Sequence, residues 1–258
     1  MNMPTLGKSL KSARTMADRF NDSVGNLKGY DCPKCKNKGQ IMFHDKDGYD
    51  KIKECECMRI RKMYEHIEKS GLKDVLKKYT FKNYTADKNW QKSAVQTAVD
   101  FVKKNNGAWF LACGQAGSGK THICTAIAGQ LLKQGRQLHY MLWRDEVVRL
   151  KANVMDNDNY QDRIEKLKNA EVLYIDDFFK VRQGEMPTTA EVNIAFEIIN
   201  HRYNLPNAVT IISTEKSVNE LINIDEAVAS RICERCQGTY ILQIKKSAEN
   251  NYRLKGVL

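Results

Sequence analysis

The residues best equipped for chemistry form one stretch, Gly114-Gln115-Ala116-Gly117-Ser118-Gly119-Lys120-Thr121. It fits the pattern G-x-x-x-x-G-K-[ST], the P-loop that binds nucleoside triphosphates. Glycines let the loop curl so that successive backbone N–H groups point inward and cradle phosphate oxygens. A helix opening at Lys120 adds the positive end of its dipole. Lys120 then reaches the β- and γ-phosphates, and the Thr121 hydroxyl can ligate magnesium. A second stretch, Val172-Leu173-Tyr174-Ile175-Asp176-Asp177, is an apolar run ending in two carboxylates. On a buried strand beside the P-loop, Asp176 would hold the magnesium shell and Asp177 would polarise an attacking water.

A third set could bind metal. Cys32-Pro33-Lys34-Cys35 is followed by a hairpin-like stretch and then Cys55-Glu56-Cys57. Cys-x-x-Cys turns two thiolates toward one point, and a second pair about twenty residues on completes a tetrahedral zinc site. The second pair is tighter than usual, which keeps His44 open as a substitute ligand. A segment this small and polar needs such a cross-link to fold. Cys233-x-x-Cys236 lacks a second pair and reads as core packing.

These residues need elements to hold them. The apolar run Ala108 to Cys113 reads as a buried strand, and Ile123 to Leu132 as the helix after the loop. Further strands are expected over Gln137–Trp143, Val172–Asp177, Val209–Thr214 and Thr239–Ile244. Helices are expected over Trp90–Lys104, over Arg144–Lys168 with a break near Asp156, over Thr188–Asn204, and from Asn223 through Arg231 and Arg235. Strands alternating with helices imply a three-layer α/β sandwich with a mainly parallel five-stranded sheet. Residues 1–29 form a basic segment with weak helical patterning through Leu10, Ala13, Met16, Ala17 and Phe20. Residues 30–78 form the cysteine module and a connecting helix, and 79–258 the phosphate-binding domain.

The chain has 258 residues and a formal charge of +11. Residues 1–80 hold 18 Lys and Arg against 11 Asp and Glu, and the remainder 24 against 20. That balance suits an anionic partner such as nucleic acid. With no apolar run of about 18 residues and no secretory stretch, the expected setting is the cytoplasm, with no membrane partner and cysteines as thiols or metal ligands.

Taken together, the cysteine module, Gly114–Thr121, Ile175-Asp176-Asp177, Asn200-His201-Arg202-Tyr203, Ile212-Ser213-Thr214-Glu215 and Ser230-Arg231-Ile232 resemble the DnaC/DnaI-type bacterial replicative helicase loaders, a branch of the AAA+ ATPases. The short N-terminal part is similar to phage or prophage versions. The resemblance covers roughly residues 30–258. It implies ATP, magnesium and zinc as cofactors, slow ATP hydrolysis, and self-association in the ATP state. It also implies delivery of a hexameric replicative helicase onto single-stranded DNA. It gives Thr214, or Ser213, the place of a γ-phosphate sensor and Arg231 that of an arginine finger reaching a neighbouring subunit. Arg253 takes that of a second phosphate sensor. Arg144, Arg149 and Lys151 fall where initiator-type relatives bind DNA. Asp177 stands where a Glu is common across AAA+ proteins. An IstB-like helper of transposition shares the same core. A metabolic P-loop kinase would want an arginine-rich lid, which the sequence does not display.

Overall fold

The computed structural model describes residues 15–69, 73–104, 107–153, 156–182 and 184–254. The chain divides into two compact units, 1–61 and 62–258. The sequence suggested a boundary near 78. The difference has a packing cause: Val75 and Leu76 lie partly buried against the core of the larger unit.

In the first unit, α1 (Met16–Asp22) starts on a capping box, Thr15 and Asp18 each accepting from the other's backbone N–H. Leu10 and Ala13, expected on this helix, lie outside the described residues. Strands β1 (Gln40–His44) and β2 (Asp50–Glu54) pair antiparallel, from Gln40 opposite Glu54 to His44 opposite Asp50. The Asp45 carboxylate closes their turn by accepting from Asp47 and Tyr49 N–H. Asn21 ties α1 to the hairpin, exchanging two hydrogen bonds with the Met42 backbone at 2.8 and 3.0 Å. Helix α2 (Cys57–Lys69) follows, and the division between the units falls inside it.

The larger unit opens with α3 (Lys73–Lys78) and α4 (Asn89–Lys104). There follow β3 (Phe110–Gly114), α5 (Lys120–Lys133), β4 (Leu138–Leu142), α6 (Trp143–Ala152), α7 (Asn157–Lys168) and β5 (Val172–Asp176). The chain continues through α8 (Thr189–Tyr203), β6 (Val209–Thr214), α9 (Val218–Ile224), α10 (Glu226–Arg235) and β7 (Ile241–Ile244). The five strands form one parallel sheet in the order β4-β5-β6-β3-β7. Strands β3, β5 and β6 are buried along their whole length. That is why β3 and β5 read as near-continuous apolar runs rather than alternations, while the equally buried β6 also carries Thr210, Ser213 and Thr214. The order seats β6 between the P-loop strand and the strand ending in Asp176. Cys113 stands level with Thr214, and Ile175 with Ile212, so three tips line up at one edge.

Two elements depart from the sequence expectation. Trp143 begins α6 instead of ending β4, because its ring is buried edge-on against Phe178 and Phe179. Helix α9 was not anticipated; it is seven residues long and buries only Leu221. Val218, Leu221 and Ile224 pack on the core, but three apolar positions in seven residues make too short a run to read; the Ser217/Glu220 capping box is the signal that could have found it. Among the described residues no helix is long and apolar enough to cross a membrane.

Candidate functional site

In the smaller unit the four N-terminal cysteines converge. The sulfurs of Cys32, Cys35, Cys55 and Cys57 all lie within 4.8 Å of one another, and all four residues are buried. Cys32 and Cys55 are 3.8 Å apart, Cys35 and Cys57 3.4 Å. A tetrahedron of thiolates about 2.3 Å from zinc has edges of about 3.8 Å, so the donor set fits that ion. The Gly39 amide donates to Cys35 Sγ at 3.3 Å. His44 does not belong to this cluster. It sits beside the hairpin turn, with Nδ1 2.7 Å from Asp50 Oδ1. Sequence reasoning missed Arg61, which is buried and donates to the Lys28 and Tyr30 carbonyls at 2.5 and 2.6 Å. It also donates to Asn37 Oδ1 at 2.8 Å. The same Asn37 oxygen accepts from Cys32 N–H, so the guanidinium fastens the knuckle.

In the larger unit a cavity of about 270 Å³ opens at the strand tips. Ala116, Gly117, Ser118, Gly119, Lys120 and Thr121 line it. Gly119 has φ 91° and passes against the Tyr84 ring; Gly117 has φ 74°, and a Cβ there would stand 2.0 Å from Asn251 Oδ1. Side chains are excluded from both positions for those reasons. Lys120 is buried, and its Nζ donates to the Gln115 carbonyl at 2.7 Å, in the manner of an ammonium awaiting a phosphate oxygen. Burial pulls its pKa down, with Glu215 and Asp177 opposing. Gly114 and Gln115 do not line the cavity. Gln115 instead pins the C-terminal segment, bonding Ser247 N and O at 2.7 Å each.

Thr121 Oγ1 donates to Asp176 Oδ1 at 3.1 Å. A hydroxyl and a carboxylate so placed, one on the helix after the loop and one on a neighbouring strand tip, could share a magnesium shell. Asp176 is buried and also accepts from Ser213 Oγ and, at 3.1 Å, from the Tyr140 hydroxyl. Tyr140 was not foreseen: its signal, an aromatic alternating along β4, is that of an ordinary strand. Burial and the Asp176 charge push its pKa far up, so it stays a donor. Asp177 lines the cavity with a left-handed φ of 56°, and burial together with Asp176 raises its pKa.

Thr214, expected as a phosphate sensor, is not among the residues lining the cavity: it is fully buried, donates to the Phe178 carbonyl at 2.7 Å and accepts from Lys216 N–H at 3.1 Å. Ser213, the alternative, meets Asp176 instead. Arg231 does not reach its own chain's cavity. Its guanidinium lies 5.4 and 5.7 Å from the ring centres of Phe196 and Tyr203 and donates to Ala227 O at 2.8 Å. Arg253 does line the cavity, held there by a strap: Tyr252 N–H donates to Gly117 O at 2.9 Å, and Gln91 Nε2 to the Tyr252 hydroxyl at 2.6 Å. Tyr79, Tyr84 and His122 form an aromatic wall, the His122 ring 4.7 Å from Tyr79 and 5.0 Å from Tyr84. On α6, Arg144 is exposed, but Arg149 pairs with Glu146 at 3.5 Å and Lys151 with Glu191 at 3.7 Å. Cys233 and Cys236 are free thiols, Cys236 in the core.

Residues 50–257 match the family described as IstB-like ATP binding protein. The chain belongs to the IstB-like ATP-binding family. The uncharacterized Bacillus subtilis protein YqaM is 33% identical over 222 residues, 81% of this chain and 68% of YqaM. The phage-like element PBSX protein XkdC of the same organism is 30% identical over 242 residues, 88% of each chain. The Escherichia coli replicative helicase loader DnaC is 26% identical over 122 residues, 46% of this chain and half of DnaC. A crystal structure of the DnaC helicase loader superposes with a TM-score of 0.51 at 24% identity, over 67% of this chain and 98% of that one. This IstB-like chain thus shares its fold with the DnaC helicase loader, and its sequence relatives include a phage-like element protein.

Proposed function

We propose that the chain is an ATP-controlled loader that places a hexameric replicative helicase on single-stranded DNA, in a phage-like setting. The observation that carries this reading is the meeting of Lys120, Thr121 and Asp176 at one sheet edge, in a chain similar to XkdC and to the loader DnaC. The P-loop amides and Lys120 would hold the triphosphate. Thr121 and Asp176 would hold magnesium, which screens the phosphate charge. Asp177 would polarise the attacking water. Its carboxylate is one methylene shorter than a Glu, which favours slow turnover. Arg253 contacts the phosphates from the strap.

Arg231 would complete a neighbouring copy's site after leaving its stack on Phe196 and Tyr203, coupling self-association to bound nucleotide. The four cysteines would hold zinc, and the module they shape, with α1, would grip the helicase. Arg144, with Arg149 and Lys151 released from their acidic partners, would track the DNA backbone. An IstB-like role in transposition is the second reading, favoured by the family match itself.

A pull-down with the host's replicative helicase, with and without ATP, tests the proposal. Nucleotide-dependent capture is expected. No capture in either state, alongside capture of a transposase, would move the chain to the second reading.

A further inference from the structure

The turn after the paired acids has a strained backbone. Asp177 and Phe179 both adopt left-handed backbone, φ 56° and 55°. Non-glycine residues there are strained, and they persist only where the surroundings force them. Here the forcing is visible. Phe178 and Phe179 are buried, with ring centres 4.1 Å apart, and both pack edge-on to Trp143. Phe178 N–H donates to Ser213 O at 2.8 Å, and Lys180 N–H to Asp177 O at 2.9 Å. The turn spends this strain to fix one outcome, the exit direction of Lys180.

Lys180 and Glu215 both line the nucleotide cavity, and their ammonium and carboxylate form a close ion pair. They leave the tips of β5 and β6, the tips that carry Asp176 and Ser213. The field of each is felt by Lys120 and by Asp177. So a further cation besides Lys120 and Arg253, already neutralised by its own carboxylate, lines the cavity.

We infer that the Lys180–Glu215 pair is a triphosphate sensor: a γ-phosphate draws the Lys180 ammonium off Glu215, and a diphosphate leaves the pair closed. The chemistry is an exchange of anionic partners. A terminal phosphate brings more charge and more acceptor oxygens than a carboxylate, and it repels Glu215 while attracting Lys180. The α- and β-phosphates sit in the amide cradle with Lys120 and offer Lys180 no comparable gain. The pair thereby makes the site respond to the presence of the third phosphate from within one chain. This inference deepens the nucleotide-binding reading and rests on it.

The test is binding of fluorescent ADP and of a fluorescent, non-hydrolysable ATP analogue to the full chain. Lys180→Met is expected to weaken the triphosphate about tenfold, the usual loss for a charged hydrogen bond, and to leave ADP within about twofold. Retained ADP binding doubles as proof of folding. Lys180→Arg, which keeps the charge, should restore most of the discrimination. Glu215→Gln, which frees the ammonium, should tighten the triphosphate and not ADP. Lys180→Met weakening both nucleotides equally, or neither, overturns the inference alone. A wild-type chain that binds neither nucleotide overturns it together with the P-loop reading on which it stands.

Discussion

The two units build their candidate ion sites by opposite means. In the larger one the ligand-holding groups hang from a finished scaffold. Strands β3, β5 and β6 are buried end to end, and the apolar core continues through α5, α8 and α10. Lys120, Thr121 and Asp176 take their places because the sheet order puts the tips of β3 and β5 on either side of β6. In the smaller unit the order of cause is reversed. Its buried cluster consists of the four cysteines themselves, with Tyr30 and Ile41 packed against them, and β2 is exposed throughout. There the ion would supply the core. The lesson is that a site on a formed core can lose its ligand and keep its shape, whereas a site that is the core cannot.

Removing the metal should break this comparison most visibly. Structural zinc contributes on the order of 10 kcal/mol to folding in small zinc modules. Chelation, or Cys35→Ser, is expected to abolish amide protection in β1 and β2 and to release about one zinc per chain. Protection in β3, β5 and β6 should persist. A metal-free hairpin that kept its protection would show the smaller unit to be self-supporting.

The next effect concerns the larger unit's own core. Arg202 is fully buried and donates to the Leu167, Lys168, Ala170 and Val209 carbonyls and to Thr210 Oγ1, at 2.7 to 3.2 Å. Burial pushes its pKa down to about 9. Arg202→Ala strands these acceptors and should cost about 3 kcal/mol in denaturant unfolding, without moving the zinc content. A cost under about 0.5 kcal/mol, the range of ordinary surface changes, would mean the carbonyls find water instead. The smallest effect is expected from Tyr140→Phe, which removes one donor from Asp176. About 1 kcal/mol, or roughly 2–4 °C in Tm, should be lost, with the P-loop still competent to bind nucleotide. An unchanged Tm would place the Tyr140 hydroxyl outside the Asp176 network.

Legibility in the sequence followed the same divide. The P-loop, the paired acids and the parallel sheet were readable because each is a local pattern with a backbone cause. The cysteine quartet was readable from spacing alone. Side-chain direction at a strand tip was not: Ser213 and Thr214 are adjacent hydroxyls, yet one donates to Asp176 and the other to the Phe178 carbonyl. Nor were Arg61, Arg202 and Tyr140 legible as structural donors, since their partners lie between 7 and 36 residues away. The turn holding Lys180 was hidden for a related reason, that left-handed Asp177 and Phe179 carry no glycine to announce them. Arg231 was read from resemblance, and its stack on Phe196 and Tyr203 depends on contacts that no motif encodes.

The central claim is that the cavity at Lys120 receives a nucleoside triphosphate. Calorimetric titration of the full chain with magnesium ATP tests it most directly, wild type against Lys120→Ala. Saturable binding to one site per chain is predicted, lost by at least about a hundredfold in the variant, the scale of a buried charged contact to phosphate. Equal, tight binding by both proteins would contradict the account.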